Sequence, residues 1–125
     1  MATQYKKLND APNLPPEGTI EVWYMQPEFF RFGVQEARPN HEPHNLLWTH
    51  TLLGTLRKDA GVPIAAMLNE LWIAMQSDRW SPNGEAFDLI RGLGLKHTSM
   101  SIGDCFRLQD GAAWIVTTEG FRELE

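Results

Sequence analysis

The sequence predicts a small single-sheet α+β domain of order β-β-α-α-β-β, with two helices packed on one face of the sheet. Three observations carry this. Segments that alternate in polarity or are dense in β-branched and aromatic residues lie toward both ends of the chain. Two segments between them place apolar residues at steps of three and four, the spacing of a helix face. The 125 residues suit one domain, and a chain of that size buries roughly two-thirds of its unfolded surface.

Residues 1–18 are polar, with Pro12, Pro15, Pro16 and Gly18, and read as an N-terminal arm. The domain proper is 19–125. In 19–25, Ile20, Val22 and Tyr24 alternate with Glu21 and Trp23, which predicts a strand that Pro27 ends. PEFFRFG (27–33) predicts an apolar turn folded under the core, and 35–45 a loop rich in Pro, Asn and His. In 46–56 the density of Thr and the presence of Gly54 favour a strand over a helix.

Residues 62–76 predict the first helix, with Pro63 in its first turn and a stripe of Ile64, Met67, Leu68, Leu71, Trp72 and Met75. The second helix follows WSPNG. Ser81 is its predicted N-cap, Ala86, Leu89, Ile90 and Leu93 its buried stripe, and Gly92 or Gly94 its end. Strands at 104–108 and 112–118, joined by Gln109-Asp110-Gly111, predict a closing hairpin.

The bulk properties narrow the function classes. A formal charge of −5 argues against a nucleic-acid grip built on a broad basic face. The single cysteine, Cys105, permits no internal disulfide and suits a reducing cytoplasm. No signal-peptide core or membrane-length apolar run stands in the sequence. The expectation is a cytoplasmic protein with no membrane attachment and no cofactor.

Several constellations carry chemical inventory. His41, His44 and His50, with Glu42 among them and His97 in reserve, suggest a metal site. The spacing HEPH lacks the two-residue gap that aligns two imidazoles on one helix face, so a solvated loop is the expected reading and no metal is assigned. His97, Thr98, Ser99, Ser101 and Asp104 hold the components of a nucleophile, base and orienting acid, without the strained elbow that exposes a serine. Here a turn held by side-chain hydroxyls and a carboxylate is the stronger expectation, with a binding edge displayed beside it. WSPNGE next to Arg79 could hold an anion on backbone N–H groups, but the same residues serve as an ordinary helix start. Arg57, Lys58, Arg79, Arg91, Lys96 and Arg107 read as dispersed surface charges. Trp23, Trp48 and Trp114 mark the sheet as a candidate binding surface.

The C-terminal half, WSPNGEAFDLIRGLGLKHTSMSIGDCF followed by AWIVTTEGFREL, resembles a group of small uncharacterised proteins of bacteria, phages and plasmids. Their shared block reads WSPNGEA, then HTSMSVGD, then a strand ending in GFxEL. YMQPEFF resembles a segment of the same group, and the Ser-x-Ser-x-Gly-Asp core is loosely similar to YodL-like domains of mobile elements. The likeness covers about 22–32 and 80–124; Ile102 and Cys105 stand where Val is common. No activity is established for the group, so the resemblance transfers no catalytic residue. It implies an accessory gene of phage or plasmid type.

The expected function is a small cytoplasmic accessory protein that binds and modulates a host protein. The candidate binding residues are His97, Thr98, Ser99, Ser101, Asp104, Trp23 and Trp114. The alternatives are a nucleic-acid-associated accessory protein and a small hydrolase or transferase centred on His97 and Ser99.

Overall fold

The computed structural model of the chain describes residues 14–27, 50–57, 61–117 and 119–124. Among them run β1 (Thr19–Met25), β2 (His50–Arg57), α1 (Ile64–Ala74), α2 (Ser77–Trp80), α3 (Phe87–Gly92), β3 (Cys105–Arg107), β4 (Ala113–Thr117) and β5 (Gly120–Leu124). The strands form one antiparallel sheet in the order β2-β1-β3-β4-β5. The α+β class therefore stands, and the element order is β-β-α-α-α-β-β-β in place of the expected β-β-α-α-β-β.

The added strand is β5. Thr117 pairs with Gly120, whose φ of +128° sits in a region that L side chains rarely adopt. The chain there turns back on β4, and the Thr117 hydroxyl, which donates to Gly120 O at 3.1 Å, secures the turn. The closing hairpin expected from the sequence ends at 118, so β5 lies beyond it. As the last strand in the sheet order, β5 tolerates the exposed Arg122 and Glu123. The added helix is α2, one turn after the chain bends at Met75 and Gln76.

α1 and α3 pack on one face of the sheet. Met67 and Leu68 from α1, Ile90 from α3, and Ile20, Val22, Tyr24 and Phe106 from the strands belong to one buried cluster. A bulge between Val22 and Trp23 skips Leu53 in the pairing, and Leu53 packs against that same cluster. α3 differs from the expected helix. It begins at Phe87, and Ser81 does not cap it directly; the Ser81 hydroxyl accepts the Ala86 N–H at 2.8 Å. Ala86 and Ile90 point inward, while Leu89 is exposed.

The centre of the other face is also removed from solvent. Register places Glu21, Trp23, Cys105, Arg107, Ala113 and Ile115 together on it. All are buried except Trp23, which is half-buried. Arg107 is only 1% exposed and lies opposite Glu21 across the β1–β3 ladder, its Nη1 donating to Glu21 Oε1 at 3.2 Å. Arg107 is thus not the surface charge that the sequence suggested. It balances a carboxylate inside the sheet, and Trp23 Nε1 donates to the same oxygen at 2.9 Å.

Candidate functional site

The 96–104 segment connects α3 to β3 and carries most of the polar candidates. Its anchor is Asp104, 1% exposed, at the head of β3. Oδ1 accepts the Met25 N–H at 2.8 Å. Oδ2 accepts the Ser101 N–H at 2.8 Å and the His97 Nε2–H at 2.8 Å. An ionised carboxylate only accepts, so His97 is the donor of that pair. The Asp104 N–H closes the turn onto Ser101 O at 3.0 Å, with Gly103 at φ +98° in the third position, where glycine is favoured. Beyond the turn the β3–β4 ladder continues: Gly103 N–H donates to Val116 O, and Val116 N–H to Asp104 O, both at 2.9 Å.

Tyr24 and Trp80 brace the other side. The Tyr24 ring stacks on His97, with centroids 4.5 Å apart and planes 14° from parallel. Its hydroxyl donates to Thr98 O at 2.6 Å, and Trp80 Nε1 donates to the same carbonyl at 3.0 Å. Burial, helped by the negative Asp104, pushes the Tyr24 phenol well above its ordinary range, so it remains a donor. His50, buried in β2, donates Nε2–H to Gly103 O at 2.7 Å. The Cys105 sulfur lies 3.8 Å from that nitrogen. Burial first, and the Asp104 charge second, raise its thiol well above the usual value, which leaves it a poor nucleophile.

The serines face backbone. Ser99 Oγ accepts the Ser77 N–H at 2.7 Å, tying the segment to α2, and Ser101 Oγ donates to Ser99 O at 3.1 Å. His97, Ser101 and Asp104 are therefore brought together, but as a braced corner. Thr98 contributes a carbonyl that two aromatic side chains grip. Tyr24, Trp80, His50 and the Met25 amide complete the arrangement and were not anticipated. Their separations in sequence, up to 79 residues for Met25 and Asp104, leave no local pattern to find.

Trp23 and Trp114 do not share a surface. Trp114 packs against the helix-side core, with its Nε1 buried and without a hydrogen bond among the described residues, while Trp23 belongs to the opposite face. Trp48, His41, Glu42, His44 and the PEFFRFG turn lie outside the described residues, apart from Pro27. Among the described residues, no three His, Cys, Asp or Glu side chains gather as a metal would require. At WSPNGE, Glu85 occupies the anion position itself: Oε1 accepts the Asn83 N–H at 2.9 Å, and this bond lowers its pKa. Among the described residues, no helix is long and apolar enough to cross a membrane.

Comparison with protein-family profiles, with curated proteins and with solved structures finds no match for this chain.

Proposed function

We propose that this chain is a small accessory binding protein, of the kind carried by phages and mobile elements, that acts in the cytoplasm on a host protein through its surface. One observation carries the reading. The side chains with catalytic inventory are engaged in holding the 96–104 corner: both Asp104 oxygens, the His97 Nε2, and the hydroxyls of Ser99 and Ser101 all have internal partners. A nucleophile works with its base in hydrogen-bond reach, and here the serines are directed at backbone instead. The mobile-element context rests on the sequence resemblance, and the cytoplasmic setting on the single reduced cysteine.

The test pairs capture with turnover. The tagged protein is incubated with host lysate, and retained proteins are quantified by mass spectrometry against the core variant Leu68→Asp, which should be unfolded because Leu68 is fully buried. The expected result is a partner held by the folded protein alone, and no turnover on ester, phosphoester or nucleotide panels. Turnover abolished by His97→Ala or Ser99→Ala at unchanged melting temperature would overturn the reading in favour of a hydrolase or transferase.

A further inference from the structure

The helix α3 buries one side and leaves two large apolar side chains in water. Phe87 is 55% exposed and Leu89 45%. Phe87 stands on the bank of a cleft of about 530 Å³. Its floor is made by the end of the helix. Leu95 N–H reaches back to Ile90 O at 2.9 Å and Gly94 N–H to Arg91 O at 3.0 Å, with Gly94 at φ +77°. That is the glycine-terminated helix end in which the two flanking apolar residues pack together, and Ile90 and Leu95 are both buried. The reversal at Gly94 puts Lys96 beside the same cleft as Arg91, and both cations are exposed. Thr98, in the wall, is fixed through its carbonyl by Tyr24 and Trp80. The cleft is thus a preformed apolar floor with an exposed aromatic and two cations at its rim, on a chain of net charge −5.

We infer that this cleft is where the protein binds its partner, and that it takes an acidic protein segment with an apolar side chain between or beside its carboxylates. This rests on the binding-protein reading and names its surface. The apolar side chain packs on the exposed Phe87 ring, above the helix end that buried Ile90 and Leu95 brace. The carboxylates meet Arg91, whose guanidinium fork matches them, and Lys96. Nucleic acid fits less well. Arg91 already covers one face of the Phe87 ring at 5.1 Å, which removes a stacking surface for a base.

The probe is a displayed library of random dodecapeptides panned on the intact protein, with fluorescein-labelled oligo-dT as the competing class. Peptides rich in Asp or Glu around an aliphatic or aromatic residue should be enriched. In amide shift mapping on the unmodified protein, they should perturb Phe87, Arg91 and Lys96. Arg91→Glu should weaken the enriched peptide about tenfold, and a Lys-for-Glu version of that peptide should recover binding to it. Phe87 is exposed, so Phe87→Ser should weaken binding without lowering the melting temperature. No enrichment, or enrichment of basic peptides, overturns the inference. So does oligo-dT binding that Arg91→Glu abolishes, which would assign the cleft to nucleic acid. Acidic peptides whose shifts map elsewhere overturn the placement but leave the binding-protein reading intact. Turnover dependent on His97 removes that reading itself.

Discussion

Among the described residues two carboxylates are buried at this sheet, and they are satisfied by different kinds of donor. Glu21 is balanced by side chains: the Arg107 guanidinium directly opposite and the Trp23 indole. Asp104 is balanced largely by backbone: the N–H groups of Met25 and Ser101, with the His97 imidazole as its third partner. Side-chain donors can be exchanged together with the acid they serve. Backbone donors stay whatever residue replaces the acid, and a buried N–H without an acceptor is costly. The Glu21–Arg107 pair should therefore be replaceable as a unit, and Asp104 should not be replaceable by any apolar residue.

The largest effect is expected where half of the replaceable pair is removed. Arg107→Ala leaves Glu21 buried without its cation and should cost about 3–5 kcal/mol in urea unfolding. Glu21→Leu combined with Arg107→Met should recover a large part of that loss, because the two opposite charges leave together. A double variant no more stable than Arg107→Ala would erase the contrast between the two sites.

Asp104→Ala comes next. It strands the Met25 and Ser101 amides and the His97 donor, and should cost about 3 kcal/mol. Adding His97→Leu should recover little, since both amides remain. If this second pair proved replaceable, the backbone donors would have found water, and the two buried acids would not differ as described. Smaller still, His97→Ala removes one donor to Asp104 and the stacking partner of Tyr24, about 1–2 kcal/mol by thermal melting.

The smallest effect appears only in alkali. The Tyr24 phenol is raised in the folded state, so above its ordinary pKa of about 10 the unfolded chain releases a proton that the folded chain keeps. Tyr24 thus contributes stability that is fully present below pH about 10 and falls as the pH rises beyond it. Cys105, also raised, adds a decline that starts nearer pH 8.5, roughly the free thiol value. Tyr24→Phe should remove the later part of the alkaline slope and leave the earlier part. Cys105→Ala should do the reverse. A Tyr24→Phe slope identical to the parent's would show that the phenol is not held as described.

What local periodicity could report, it reported well. The strand at 19–25 has the expected limits, the 109–111 turn joins two antiparallel strands, and the α1 stripe supplies Met67 and Leu68 to the core. The Gly-Asp turn and the hydroxyls around it were legible as structural, because their chemistry acts within a few residues of itself. The limits lie where a residue's neighbours are remote. Glu21 and Arg107 have the sequence marks of solvent-facing charges, and only the pairing of strands 86 residues apart converts them into a buried pair. Alternation already sets Tyr24 and Trp23 on opposite faces of β1, but only the packing shows that Tyr24 reaches His97 and Thr98. Leu89 fits a helical stripe as well as Ile90 does, and only the position of α3 on the sheet leaves it in water. The sequence by itself determined β1, α1 and the 109–111 turn, though not β5 or α2, since backbone preference and apolar spacing act over one or two turns of chain. The tertiary structure decided which side chains meet, because register and packing join donors to acceptors that no local pattern connects.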